Sequence, residues 1–387
     1  MAQEAPVLII GTGLAGYNLA REFRKLAPDA ELSLISADGG EFYSKPMLSN
    51  ALAAKKLPEQ IPLSDATKMA QQLRAEIVTG QQVSTIDLAQ QRVRFGEMER
   101  TYQRLVLAVG AEQIRLPLAG DAADRVLTVN DLRDYARFHA ALAGVQRVAV
   151  IGAGLIGCEF ANDLLSSGYQ VELIDIAELP LPRLLPPRAG IALRDALAAG
   201  GVSWRLGEQV ASVDAAGSGL VVRLASGAVI ACDLVLSAVG LRPKTALARG
   251  AGIAVNRGIV ADRQLGTSAP GVYALGDCAE IVGLLLPYVL PLTQAARALA
   301  KILVGSEQNL SYPCMPVTVK TPLLPVVVAP PIDPSAVEWE FESLEGGLRA
   351  LARDAAGRLL GFALLGQASA ERGRWAKDVA PWLGDAA

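Results

Sequence analysis

The sequence holds few of the residues on which metal and thiol chemistry depend. It has four cysteines, and no two of them form a CxxC motif. A zinc ribbon and a thioredoxin-like redox disulfide are therefore not expected, and the pattern is typical of reduced thiols in the cytoplasm. The one histidine, His139, lies in the helical pattern DYARFHAAL without a partner histidine, so the sequence predicts no metal site.

Long apolar runs and clustered positive charge are also missing. The longest apolar candidate, GLLLPYVLPL (283–292), is short and broken by prolines, so no membrane span is predicted. The net charge of −3 comes from 36 basic and 39 acidic residues without a basic arm, which argues against nucleic acid as a partner. The N-terminus lacks the positive region of a signal peptide, and a cytoplasmic location is expected.

What the sequence does contain is an internal repeat. Residues 6–36 (PVLIIGTGLAGYNLAREFRKLAPDAELSLIS) align with residues 147–175 (RVAVIGAGLIGCEFANDLLSSGYQVELID). Each copy has the pattern of a buried strand, a glycine turn, a helix and a second strand. The segments LVLAVGA (105–111) and LVLSAVGL (234–241) extend the repeat, because each is a predicted late strand that ends in a glycine turn. The repeat therefore predicts two nucleotide-binding units.

Each copy carries GxGxxG between its strand and its helix, which is the context that dinucleotide binding requires. The first glycine allows the tight turn, the second lets the backbone approach a pyrophosphate, and the third lets helix and strand pack closely. The pyrophosphate then meets the unpaired N–H groups at the helix start. The predicted cofactor contacts are Gly11, Thr12, Gly13, Leu14, Ala15, Gly16, Ala108 and Gly110 in the first unit and Gly152, Gly154, Leu155, Ile156, Gly157 and Gly240 in the second.

The end of the second strand of each copy is where a dinucleotide's ribose is recognised. In the second unit this position is Asp175, 23 residues after Gly152. A carboxylate there accepts hydrogen bonds from ribose hydroxyls and repels a 2′-phosphate, so this unit is expected to prefer NADH to NADPH. In the first unit the matching stretch is Ser36, Ala37 and Asp38, and either Ser36 or Asp38 could contact the ribose.

Together with the later motif YALGD (273–277), these features resemble the two-dinucleotide-binding flavoprotein reductases. The segments YSKPMLS, GAGLIGCEFANDL, AVNRGIV, YALGDCAE and MPVTVKTP narrow the resemblance to the rubredoxin–NAD(+) reductases of alkane-oxidising bacteria. The resemblance spans nearly the whole chain. It implies FAD in the first unit, NADH in the second, hydride transfer to the flavin, and rubredoxin as the electron acceptor, with alkane hydroxylation as the usual downstream use.

The resemblance also assigns residues to the flavin. It implies that Gly276 and Asp277 lie at the ribityl chain of FAD. Lys45 is expected near flavin N5, where a cation favours hydride arrival, and Pro46 disfavours helix at Lys45. Glu159 is expected to fix the Lys45 ammonium group, which is otherwise flexible.

Further flavin contacts come from later segments and from one early strand. By resemblance, Lys320 is a third flavin-side candidate, Val289 would approach the flavin by its backbone, and the backbone of Val83 would meet the adenine. A helix is predicted to start near Pro291 or Leu292, and its positive end could face the flavin N1–C2=O edge.

The sequence evidence on the electron acceptor is mainly the absence of redox cysteines. Disulfide reductases, NADH oxidases and peroxidases of this fold carry redox cysteines near the flavin, but residues 37–53 contain none. Reduced flavin is therefore expected to pass electrons directly to an outside acceptor, either a one-electron carrier protein or oxygen. Three functional hypotheses are consistent with the sequence: an NADH:rubredoxin reductase, an NADH:ferredoxin reductase of an oxygenase system, and an NADH-sensing flavoprotein.

The predicted fold class is α/β, with two Rossmann-like doubly wound nucleotide-binding domains plus a small α+β C-terminal domain. The FAD-binding domain is expected to be discontinuous, with residues 1–112 and 237–308. Residues 113–236 would form the NAD(H)-binding domain, in which Asn130 could cap the helix that begins DLRDYARF. Residues 309–387 would form the cap and partner surface, with short strands, a turn at DAAG (354–357) and a final helix over 368–383.

Overall fold

Two parallel sheets, each built from one sequence repeat, form the centre of the protein. The computed structural model describes residues 6–384. The first sheet has five parallel strands in the spatial order Val272–Ala274, Arg104–Leu107, Val7–Ile10, Leu32–Ile35 and Glu76–Val78. The second has five parallel strands in the order Ser203–Leu206, Gln170–Asp175, Arg147–Ile151, Leu234–Ser237 and Leu127–Thr128. The chain therefore leaves the first sheet, completes the second, and returns to add the strand Val272–Ala274.

The central strands form because their apolar residues are covered on both faces, as parallel sheets require. Every residue of the strand Val7–Ile10 is buried. The helix Leu14–Leu26 follows this strand and packs against the returning helix Val289–Leu303. In the second unit the helix Leu155–Ser166 follows the strand Arg147–Ile151 in the same way.

The remaining elements surround these two sheets. The other α-helices are Ala66–Leu73, Leu132–Ala141, Pro187–Ala199, Ala246–Gly250 and Arg372–Asp378. Single 3₁₀ turns lie at Lys45–Asn50, Pro58–Gln60, Ala123–Arg125, Gly276–Cys278, Pro334–Ala336 and Gln367–Glu371. The smaller sheets join Val83–Asp87 to Arg92–Phe95 and Met98–Thr101, Val210–Ala216 to Gly219–Leu224 and Val229–Cys232, Ile259–Ala261 to Ala279–Ile281, and Ala111–Gln113 to Leu241–Pro243. In residues 6–384, no helix has both the length and the apolar composition that a bilayer crossing needs.

The C-terminal part is an antiparallel sheet with a short helix. Its strands lie in the order Val317–Val319, Val326–Ala329, Leu359–Gly366, Gly347–Arg353 and Glu338–Leu344. The predicted turn at 354–357 connects two of these strands, and the hydrogen bond from Gly357 N–H to Asp354 O closes it. The predicted α/β fold with an α+β C-terminal part is confirmed.

Three local predictions were wrong. The helix cap is Asp131 rather than Asn130, because the Asp131 carboxylate accepts the Asp134 N–H at 2.8 Å while the Asn130 amide donates to the carbonyl of Ala111. The helix expected to start near Pro291 or Leu292 begins at Val289, because a proline in the first turn does not interrupt a helix. The long final helix is a 3₁₀ turn at Gln367–Glu371 followed by Arg372–Asp378.

Candidate functional site

The first glycine turn has the geometry that its spacing predicts. Gly11 has φ +116°, a conformation that L side chains rarely adopt, and an added Cβ would overlap the carbonyl oxygen of Ala108. A Cβ on Gly16 would overlap the carbonyl oxygen of Gly11, so helix and strand pack too closely for any side chain. A Cβ on Gly13 would meet no heavy atom within 4 Å beyond its chain neighbours. The middle glycine therefore presents bare backbone to open space.

The second turn repeats this arrangement residue for residue. Gly152 has φ +106°, and its Cβ would lie 2.6 Å from the carbonyl oxygen of Ala238. A Cβ on Gly157 would overlap the carbonyl oxygen of Gly152, while one on Gly154 would meet nothing within 4 Å. Gly154, like Gly13 in the first unit, is the N-cap of its helix and offers no side-chain cap. Both helix starts therefore direct unpaired N–H groups into open space, which fits an anionic pyrophosphate.

Residues of the first helix turns and of the neighbouring strand ends line these cradles. Leu14 and Leu155 are half-buried, Ala15 is buried and Ile156 is exposed. Ala108 and Gly110 follow the strand Arg104–Leu107, and Gly240 follows the strand Leu234–Ser237. Gly110 and Gly240 have φ values of +71° and +118°, which explains why glycine stands at both turns.

Asp175 lies at the end of its strand, beside the second glycine turn. One of its carboxylate oxygens accepts the Ala153 N–H within that turn, and the other accepts the Ala177 N–H at 2.7 Å. The side chain is only half-buried, and the next residue, Ile176, is 76% exposed. The carboxylate is therefore held rigidly against the turn while this edge of the sheet stays open.

In the first unit the two ribose candidates belong to one hydrogen-bonded cluster. The Thr12 hydroxyl lies 2.7 Å from the Ser36 hydroxyl, which donates to Asp38 Oδ1 at 2.5 Å. The Gly40 N–H also donates to that carboxylate oxygen, at 3.0 Å. Ser36 is buried, and Asp38 is half-buried after the exposed Ala37. Asp38 is therefore the more accessible of the two ribose candidates, and Ser36 orients its carboxylate.

The YALGD motif (273–277) lies against the first glycine turn. Gly276 has φ +79°, and a Cβ there would lie 2.8 Å from the Ala15 Cβ in the first helix turn. The adjacent Asp277 is half-buried and acts electrostatically on Lys45. Burial lowers the pKa of the Lys45 ammonium group, the negative charge of Asp277 opposes that shift, and the positive charge of Lys244 adds to it. Asp277 and Lys244 are thus close enough to Lys45 for their charges to act on its ammonium group.

Glu159 is buried, and its ion-pair partner differs from the expected one. The carboxylate lies 2.9 Å from Lys320 Nζ, and it also accepts the Lys320 backbone N–H at 2.8 Å and the Ser49 hydroxyl at 2.5 Å. The expected partner was Lys45, whose charge instead responds to Asp277. The reason is topological: Lys320 comes from the C-terminal segment, and its position against the helix Leu155–Ser166 could not be read from spacing.

Lys320 also contacts the segment that follows Lys45. Its ammonium group donates to the carbonyl of Pro46 and, at 2.8 Å, to the Ser49 hydroxyl. Val289 is partly exposed at the first residue of its helix, and Val83 is buried at the first residue of its strand.

Sequence reasoning missed three polar residues of this region: Ser49, Asn162 and Asp163. The Asp163 carboxylate accepts the N–H groups of Leu52 and Ala53 at 3.1 and 2.9 Å. Burial raises the pKa of Asp163 to about 6, and the two backbone hydrogen bonds oppose that rise. A signal was present, because Asn162 and Asp163 follow Glu159 at helical spacing in an otherwise apolar helix.

The cysteines are free thiols whose pKa is raised by burial. The four cysteines are all free, and burial raises the pKa of Cys232 and Cys278 to about 11 and that of Cys314 to about 12. Burial also raises the pKa of Cys158. Residues 6–384 contain no group of three or more histidine, cysteine, aspartate or glutamate side chains that could hold a metal ion. Thiols of such high pKa are poor nucleophiles.

Known proteins match the chain over almost its whole length. A rubredoxin-NAD(+) reductase from Alcanivorax borkumensis is 45% identical over 97% of this chain and 98% of its own, and one from Acinetobacter baylyi is 48% identical over 93% and 94%. Among solved structures, a ferredoxin reductase from Rhodopseudomonas palustris is 26% identical over 97% of this chain and 95% of its own, with a TM-score of 0.88.

Two family models match consecutive parts of the chain. The model described as "Rubredoxin binding C-terminal domain" matches residues 309–379. The model described as "Pyridine nucleotide-disulphide oxidoreductase" matches residues 5–300 and so covers both parallel sheets and all three glycine motifs. The chain therefore belongs to the pyridine nucleotide-disulphide oxidoreductase family.

Proposed function

We propose that this chain is an FAD-dependent NADH:rubredoxin reductase. The observation that carries the proposal is a rubredoxin-binding match over residues 309–379, directly after two open dinucleotide cradles. The residues present fit both cofactors, because Gly13 and Gly154 face open space where a pyrophosphate needs close backbone contact. Bound FAD supplies the conversion of a two-electron hydride into single electrons. Rubredoxin is the one-electron acceptor.

The chain's own residues select the nucleotide, place charge near the first cradle and hold the C-terminal sheet in position. Asp175 holds the second glycine turn and leaves a negative charge where a 2′-phosphate would lie, so it favours NADH. The negative charge of Asp277, which follows Gly276 beside the first cradle, acts on the ammonium group of Lys45. The buried pair of Glu159 and Lys320 fixes the C-terminal sheet against the NADH unit.

The lack of redox-active thiols supports direct transfer to a protein acceptor. All four cysteines are free, and burial raises the pKa of each thiol, so none of them provides a relay. A ferredoxin acceptor is the second candidate, and the structural similarity to a ferredoxin reductase favours it. An NADH sensor is the third, and fast cytochrome reduction that requires added rubredoxin would exclude it. The alkane pathway and the domain limits at residues 112, 236 and 308 remain predictions.

A cytoplasmic location is part of the proposal. Its support is the cysteine usage, since four free thiols without a disulfide are typical of a reducing compartment.

An anaerobic titration tests the proposed function. Purified protein should be yellow and contain FAD, and added NADH should bleach the flavin absorbance. Oxidised rubredoxin should then restore the yellow colour and become reduced, with two rubredoxins per NADH because a hydride carries two electrons. A colourless protein that takes up no FAD, or a reduced flavin that rubredoxin does not reoxidise, contradicts the proposal.

A further inference from the structure

The helix Leu155–Ser166 carries a row of buried polar side chains. Asn162 and Asp163 lie three and four residues after Glu159, so the three side chains share one face of the helix. They are only 1–3% exposed. Buried polar groups require partners, and here the partners come from two other parts of the chain.

The two carboxylates of this row hold one segment at three points. Glu159 accepts the Ser49 hydroxyl at 2.5 Å, and Asp163 accepts the backbone N–H groups of Leu52 and Ala53. These points lie at and just after the end of the 3₁₀ turn Lys45–Asn50. Because Lys45 is the first residue of that turn, its position depends on where the turn is anchored.

The neighbouring amide extends the same row to the C-terminal segment. Asn162 Oδ1 accepts the Leu323 N–H at 3.3 Å, and the loop is closed by a 2.8 Å hydrogen bond from the Thr321 hydroxyl to the Leu324 carbonyl. Lys320 immediately precedes this loop. One helix face of the NADH unit therefore fixes both the segment that follows Lys45 and the loop that follows Lys320.

We propose that Asp163 is a positioning residue for flavin reduction, because it anchors the segment that carries Lys45. The inference rests on the proposed function. The two backbone N–H groups reach different oxygens of Asp163, that of Leu52 Oδ2 and that of Ala53 Oδ1, and a carboxylate supplies both acceptors. In Asp163→Asn one acceptor becomes an NH₂ donor that faces another donor, so one anchor is lost with almost no change in volume.

The test uses the holoenzyme with Asp163→Asn and a matched control, Asp233→Asn. The Asp233 carboxylate also accepts two backbone N–H groups, those of Gln146 and Arg147 at 3.1 and 2.8 Å, both at Oδ2, while the Arg147 guanidinium lies 3.2 Å from Oδ1. That site lies at the opposite end of the strand from the glycine turn. For Asp163→Asn we expect flavin reduction by NADH to slow by about tenfold to 100-fold at unchanged NADH affinity. Hydrogen exchange at residues 49–53 should become faster, and the flavin midpoint potential should become more negative.

The control separates positioning from general destabilisation. Asp233→Asn should change none of these three quantities. Ser49→Ala provides a second test if Asp163→Asn fails to fold. It loosens the same segment without leaving a buried charge, so it should shift the rate of flavin reduction, the hydrogen exchange and the midpoint potential in the same directions. Wild-type values in Asp163→Asn, or equal losses in Asp233→Asn, overturn the inference. If NADH fails to reduce the wild type, the proposed function is wrong, while hydrogen exchange and the electrochemical potential still test the role of Asp163.

Discussion

Lys320 Nζ lies 2.9 Å from a carboxylate oxygen of Glu159, and this ion pair joins the C-terminal sheet to the helix of the NADH unit. The Glu159 side chain is 1% exposed and that of Lys320 is 28% exposed. Ser49, from the segment after Lys45, hydrogen bonds to both partners. Three parts of the chain that are distant in sequence therefore meet at one buried carboxylate.

Removal of the lysine should be costly, because it leaves a buried carboxylate without its counter-charge. We expect Lys320→Met to lower the free energy of unfolding by about 3 kcal/mol, as urea denaturation would measure. The double variant Glu159→Gln/Lys320→Met should recover part of this loss. Lys25→Met removes the exposed pair with Glu22 and should cost less than about 0.5 kcal/mol. Equal losses for the buried and the exposed pair would contradict the account.

Nucleotide preference should depend on Asp175 and on the exposed residue that follows it. In Asp175→Ser/Ile176→Arg a carboxylate is lost and a cation is gained where a 2′-phosphate would lie. We expect kcat/KM for NADPH to rise and that for NADH to fall by about tenfold. Ile176→Arg alone is the control, because it keeps the carboxylate that fixes the glycine turn. A wild-type enzyme that already uses both nucleotides equally well would refute this role of Asp175.

Protonation of Asp163 should affect stability in a defined direction. Its folded-state pKa is raised from 3.8 to about 6, so the native state binds this proton more tightly than the unfolded state does. The stability gained from that proton is fully present below pH 3.8 and is lost as the pH rises through about 6. Glu159 raises this pKa and Lys320 lowers it, and the charge of Asp163 raises the pKa of the facing Tyr135.

The comparison of wild type with Asp163→Asn isolates this effect. The stability of the variant relative to wild type should increase by about 2.4 kcal/mol between pH 4 and pH 7, from about 1.4 kcal/mol per pKa unit. Urea unfolding at a series of pH values measures it. A difference that stays constant over this range, or that changes with the opposite sign, would rule out a raised pKa.

Electrostatic attraction should help an acidic rubredoxin to dock near Lys45. Lys244 is exposed and its charge acts on Lys45, so it is an accessible cation near Lys45. We expect KM for rubredoxin to rise with ionic strength, and Lys244→Glu to raise it by about threefold to tenfold at low salt. Lys68→Glu, on a helix of the FAD unit, is the control and should have little effect. If salt leaves the reaction unchanged, a charged docking surface is wrong.

The sequence predicted the parts of the site whose geometry is local. Gly11, Gly13 and Gly16 are spaced by the needs of a single turn, so their conformations followed from the pattern. Asp175 could be placed for the same reason, since it ends the strand beside its own glycine turn. Gly276 could be placed only by resemblance, because its contact with Ala15 joins residues far apart in sequence.

The sequence could not predict contacts that depend on how the parts of the chain are arranged. The pairing of Glu159 with Lys320 joins residues 161 positions apart, and no local pattern encodes that approach. The anchoring of Leu52 by Asp163 spans 111 positions and uses a backbone N–H, which leaves no trace in the identity of the donor residue. The cap at Asp131 was missed for a smaller reason, because adjacent Asn130 and Asp131 are both good caps.

The central claim is that reduced flavin passes its electrons directly to rubredoxin, and stopped-flow oxidation tests it most directly. NADH-reduced enzyme is mixed anaerobically with rubredoxin and, in a parallel experiment, with a ferredoxin, and flavin absorbance is followed. The account predicts rapid reoxidation by rubredoxin and much slower reoxidation by ferredoxin. Reoxidation that is as fast with ferredoxin, or absent with rubredoxin, would contradict it.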